Sequence, residues 1–150
     1  MTRTSLFIAL GLVAATAVAP AQIMINEFMT GTPDFQELVN CSASPIDLGG
    51  WTSSTWYATA AGALTAETPI VFPAGTILAP GAFLVLQENG TLGQPGTLPN
   101  SYSVGFNYFW TSSRTHEFAR TDPSGAGIDY VYINRFGNPV APNLPAGTFW

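Results

Sequence analysis

A chain of 150 residues with four basic and nine acidic side chains carries a net charge of −5, which repels polyanions and excludes nucleic acid as a natural partner. Only 9% of its residues are charged, against roughly a quarter in ordinary soluble domains, so Ser, Thr, Asn and Gln have to cover most of the surface of one domain. Cys41 is the only cysteine, which excludes an intramolecular disulfide; the thiol is expected to be buried and inert, and packing has to supply the stability.

Residues 1–21 read as a signal peptide. Arg3 gives the positive start, Leu6 to Val18 an apolar run, and Ala19-Pro20-Ala21 a small-x-small site, so cleavage is expected before Gln22. The run is shorter than the roughly 20 apolar residues that span a bilayer. The expectation is a secreted or extracytoplasmic protein, with no membrane insertion once the signal is removed.

From Gln22 onward, runs rich in β-branched and aromatic residues recur between turn residues. The predicted strands are Ile23 to Met29, Phe35 to Asn40, Ile70 to Phe72, Phe83 to Glu88, Val104 to Trp110, Thr115 to Arg120 and Ile128 to Asn134. Asn89-Gly90 ends the fourth, and residues 91–101, poor in strand formers, are expected to be a surface loop. Asp122-Pro123-Ser124-Gly125 suits a type I turn joining the last two strands as an antiparallel hairpin. Residues 135–150 are a Pro-rich closing segment, read either as a docked last strand or as a truncated end. Seven short strands with turns between them predict an all-β sandwich or barrel.

Several segments, in order, resemble the lamin tail domain family. The first is Ile25-Asn26-Glu27-Phe28 followed by Asp34-Phe35-Gln36-Glu37-Leu38-Val39-Asn40. The second is the corner Ile46-Asp47-Leu48-Gly49-Gly50-Trp51. The third is Phe72-Pro73-Ala74-Gly75-Thr76-Ile77-Leu78-Ala79-Pro80-Gly81 leading into Phe83, and the closing hairpin with Gly127-Ile128-Asp129 is similar too. Gln36 and Ser53 depart from the family pattern, which has apolar residues there, and residues 52–68 match least. The resemblance implies an immunoglobulin-like β-sandwich of about seven to nine short strands over residues 22–150. It implies structural roles for Asn26, Glu27, Glu37, Asn40, Asp47, Gly50, Trp51, Gly75, Pro80, Gly81 and Asp129, and an interaction module as the function.

Motifs for catalysis are sparse. His116 is the only histidine, so a zinc site of the His-Glu-x-x-His type is excluded although Glu117 follows it; on a strand the two side chains face opposite ways. A Cys41–His116 pair is one nucleophilic arrangement to weigh, but the Gly-rich setting such cysteines often show is absent, and no Gly-x-Ser-x-Gly elbow occurs. Asp34, Asp47, Asp122 and Asp129 either meet at the sandwich ends and hold Ca²⁺ or form turns, and turn formation is the expected role. No catalytic, cofactor-binding or metal-ligating residue and no cofactor is predicted. Trp56 and Trp110, with Tyr57, Tyr102 and Tyr108, are the candidate ligand-binding residues, since an exposed aromatic row stacks on sugar rings. The sequence therefore predicts a non-catalytic secreted or cell-surface binding or structural module, with an unidentified protein or glycan partner outside the cytoplasm. A carbohydrate-binding module is the alternative, and a hydrolase a more distant one.

Overall fold

The structure, a computed structural model, describes residues 22–137; the stretch read as a signal peptide and most of the Pro-rich closing segment lie outside the described residues. Those residues are all-β. In chain order the strands are β1 (Ile23–Met29), β2 (Phe35–Asn40), β3 (Ile46–Asp47), β4 (Thr52–Ala58), β5 (Thr65–Ala66), β6 (Ile70–Val71), β7 (Ile77–Leu78), β8 (Phe83–Gln87), β9 (Ser101–Ser103), β10 (Thr115–Thr121) and β11 (Gly127–Ile133). Four of the eleven are two-residue pieces. The other seven make up the body of a sandwich-like arrangement, within the expected number.

One sheet has the order β1-β2-β8-β9, antiparallel except for the parallel β8–β9 pair. The other has the order β11-β10-β4-β5, with β6 also paired to β4, and β3 pairs with β7 as a separate ribbon. Alternation decides what β2 buries, whereas every residue of β10 is buried. On β2 the inward residues are Gln36, Leu38 and Asn40, all fully buried, while Phe35, Glu37 and Val39 are half-buried. Phe118 of β10 comes inward from the opposite sheet and meets Phe28 of β1, ring centroids 5.2 Å apart. Leu38, Leu48, Phe72, Leu86 and Phe118 centre the core. Each such side chain contributes about 1.5–3 kcal/mol by burial.

The corner before β4 forms as its residues predict. Gly50 adopts φ +78°, and a Cβ on Gly49 would stand 2.8 Å from the Ala74 backbone. The Gly50 and Trp51 N–H groups donate to Phe72 and Leu48 carbonyls, and Trp51 packs half-buried against the core. The Asp122 turn also forms: Gly125 N–H donates to the Asp122 carbonyl at 3.0 Å, and Asp122 Oδ1 accepts from Ser124 N. It joins β10 to β11 as an antiparallel hairpin.

Three expectations are corrected. Residues Val104 to Trp110 are not a strand: Gly105 takes φ +82°, and the chain here bonds to Asn89, whose N–H donates to the Phe106 carbonyl at 2.7 Å. Conversely, residues 52–58, where no strand was predicted, form a full strand between β10 on one edge and β5 and β6 on the other, with Ser53, Ser54 and Thr55 buried. Cys41 is exposed. It follows inward-facing Asn40, so the alternation that buries Asn40 turns the thiol outward.

Candidate functional site

At one end of the sandwich, β2 begins and β8 finishes side by side, and residues 104–114 cross over them. The crossing segment keeps strand-like alternation without strand pairing. Tyr108 and Trp110 turn inward and stack, centroids 3.8 Å apart and planes 12° from parallel, while Phe109 between them points out and is 51% exposed. Trp110 also meets Phe118 edge-on. The segment is fixed by Glu67, a buried carboxylate that accepts from Phe109 N at 2.7 Å, Trp110 Nε1 at 2.8 Å and Thr55 Oγ1 at 2.7 Å.

Beneath Phe109 lies a cleft of about 370 Å³ whose lining includes Asp34, Glu88, Asn89, Asn107 and Arg114. Asp34 and Glu88 are both buried and interlocked: Asp34 N donates to Glu88 Oε1 at 2.9 Å, and Glu88 N donates to the Asp34 carbonyl at 3.0 Å. Asp34 Oδ1 accepts from Gly31 N, and Glu88 Oε2 has no hydrogen-bond partner. Burial raises the Asp34 carboxyl to about 6; the Gly31 N–H opposes the rise, and the charges of Glu88 and Glu67 add to it.

On the other side of Phe109 a second cleft, about 360 Å³, is lined by Tyr57, Glu67, Phe106 and Asn107. Phe109 stacks on Tyr57 at 5.3 Å, and the Arg114 guanidinium lies 5.4 Å from the Tyr57 ring centre. Arg114 Nη1 also donates to the Phe109 carbonyl, so the aromatic pair and the cation form one layer. His116 is buried just inside, with Nε2 2.8 Å from the Thr111 carbonyl oxygen; burial lowers its pKa, and the imidazole is neutral at pH 7.

Of the sequence-predicted ligand residues, Tyr108 and Trp110 line the first cleft and Tyr57 the second, whereas Trp56 and Tyr102 line neither. Trp56 and Trp110 are 7% and 3% exposed, so they form no surface row; sequence position alone does not distinguish an aromatic that plugs a core from one that faces water. The four aspartates do not gather. Asp34 sits in the cleft, Asp47 Oδ1 caps Gly49 N at 2.8 Å, Asp122 holds its turn, and Asp129 Oδ2 accepts from Ile25 N at 2.7 Å. Cys41 and His116 form no pair, since Cys41 is exposed beyond β2 and His116 is held to Thr111 inside the other sheet.

Among the residues that the resemblance gave structural roles, Asn40, Gly75 and Gly81 sit where the chain turns. Asn40, fully buried, donates through Nδ2 to the Ser44 and Leu78 carbonyls and accepts Ser42 N and Oγ on Oδ1. Asn26 Nδ2 donates to Glu37 Oε1 at 2.7 Å, and Glu27 stands opposite Glu37 across β1 and β2. Gly75 and Gly81 turn the chain at φ +81° and +68° on either side of β7, with Pro80 preceding the second turn. Sequence reasoning singled out Asp34 but missed Glu67, Glu88, Asn107 and Phe109. The triplet Tyr108-Phe109-Trp110 held a usable signal, because alternation that buries its two ends exposes its middle.

No protein-family model matches the chain, and no curated protein sequence matches it.

Proposed function

We propose that this chain is an exported, non-catalytic binding module of lamin tail type, with the Phe109 end of the sandwich as its binding face. The observation that carries the reading is the exposed Phe109 ring standing between two clefts that share it and Asn107. Concave sites lined by aromatic surface with a few convergent polar groups are the usual form of a ligand site. The other side chains capable of chemistry have structural duties: Glu67 carries the crossing segment, Asp129 ties β1 to β11, and His116 holds Thr111. The partner is a protein or glycan outside the cytoplasm, and no cofactor enters the reading.

Expression of the full chain in a bacterial host, followed by fractionation, tests export and binding together. The expected product begins at Gln22 outside the cytoplasm and binds isolated cell envelopes saturably, with retention reduced by Phe109→Ala. A product that keeps Met1 inside the cell sinks the export part. Chemical turnover of envelope material sinks the non-catalytic part.

A further inference from the structure

We infer that the clefts flanking Phe109 form a subsite for a neutral sugar ring, an inference that rests on the binding-module reading and specifies its ligand. The apolar C–H face of a pyranose matches an exposed aromatic face, and here that face is rigid. Phe109 is backed by Tyr57, which Arg114 covers in turn, and its backbone is held by Glu67 and Arg114. A fixed ring loses little side-chain entropy on binding.

The second observation is Glu88. The residue is only 4% exposed and lines the cleft, yet its Oε2 accepts no hydrogen bond among the described residues. A buried carboxylate oxygen without a donor is costly, and a sugar hydroxyl reaching into the cleft is a donor that meets it. Asn89 and Asn107, both exposed on the rim, offer donors and acceptors to further hydroxyls. At about 370 Å³ the cleft falls within the roughly 300–1,000 Å³ of small-molecule sites.

The charges select among sugars. Asp34, Glu88 and nearby Glu67 face Arg114 as the only cation in the lining, so uronic acids and sulfated sugars are repelled. Ca²⁺ fits poorly, because it takes six to eight oxygens and Asp34 Oδ1 and Glu88 Oε1 already accept backbone N–H groups.

The test is affinity electrophoresis of the folded protein through gels containing soluble glucan, mannan, xylan or polygalacturonate, alongside calorimetric titration with CaCl₂ alone. Retardation by a neutral polymer and not by polygalacturonate is expected. Phe109→Ala should abolish it, and Glu88→Gln should weaken it about tenfold, the loss expected for one hydrogen bond to a charged group. Phe83→Ala, an exposed ring on β8 away from these clefts, should leave it unchanged, and far-ultraviolet circular dichroism and the cooperative melting transition should be retained in all three variants. No retardation by a neutral polymer, or retardation indifferent to Phe109→Ala, overturns the sugar site but leaves the binding-module reading standing. Calcium binding lost in Glu88→Gln without sugar binding overturns it in favour of a cation. Release of reducing ends would instead remove the non-catalytic reading while keeping the sugar site.

Discussion

Asp34 is a carboxyl that its surroundings hold back from ionising. Its ordinary value is 3.8 and burial raises it to about 6, so between those values the folded chain keeps a proton that the unfolded chain has released. The stability from this group is fully present below about 3.8 and is lost as pH rises through about 6. Asp34→Asn keeps an acceptor for Gly31 N and removes the charge. Its melting temperature should exceed that of the parent at about pH 7.5, and the gap should close toward about pH 4. Thermal scans across that range check it; a gap that does not change with pH would mean the carboxyl ionises normally. At the other end of β2, exposed Cys41 should react with a thiol-directed dye in the native protein at the rate of a free thiol. Reaction only on unfolding would contradict its placement outside the core.

The element on which the site depends is the crossing segment, and Glu67 is its anchor. Three donors converge on the Glu67 carboxylate from residues 55, 109 and 110, and they do so under cover. Glu67→Ala would strand them, at a cost of about 1–3 kcal/mol for each donor that water cannot reach. The expected result is a lower urea midpoint and a red shift of tryptophan emission as Trp110 becomes wet; an unshifted spectrum would mean that packing alone holds the segment. The same segment marks the limit of what the sequence discloses. Strands β1, β2, β10 and β11 were legible because β-branched and aromatic residues cluster in them between turn residues, the Asp122 turn among these. Strand β4 was not, because its Ser and Thr side chains are buried by neighbours far along the chain rather than by their own hydrophobicity. Val104 to Trp110 had strand composition, but Gly105 and the bonds to Asn89 turn the backbone away from any sheet. The site was hidden for a related reason. Asp34, Glu67 and Glu88 are far apart in sequence, and only the meeting of two strand ends with the crossing segment brings them near Phe109.

At the scale of the whole molecule, the two sheets are joined where β1 touches β11, and charge takes part in the joint. Asp129 Oδ2 accepts Ile25 N across the sheets at 2.7 Å, while Oδ1 accepts Tyr130 N at 2.8 Å. Directly opposite Asp129 on β10 is Arg120, 1% exposed. Its Nη1 donates to the Ala119 carbonyl at 2.9 Å, and Nε and Nη2 have no hydrogen-bond partner. Burial lowers the Arg120 pKa to about 10, against the attraction of Tyr108 and Asp129, so at pH 7 the interior holds a full positive charge. Asp129→Ala removes both the inter-sheet acceptor and that counter-charge. Asp129 is half-buried and its carboxylate makes no hydrogen bond to the guanidinium, so the loss should be about 1–3 kcal/mol, that of leaving the Ile25 N–H without its acceptor, out of the roughly 5–15 kcal/mol that domains of this kind possess. Combining Asp129→Asn with Arg120→Met removes both charges and keeps an acceptor for Ile25, so most of the loss should return, because an apolar side chain in place of the buried guanidinium escapes its desolvation cost. Urea unfolding of the single and double variants measures the coupling. If the double variant is no more stable than Asp129→Ala, the buried charge is not what Asp129 compensates, and the joint rests on the Ile25 bond and apolar packing alone.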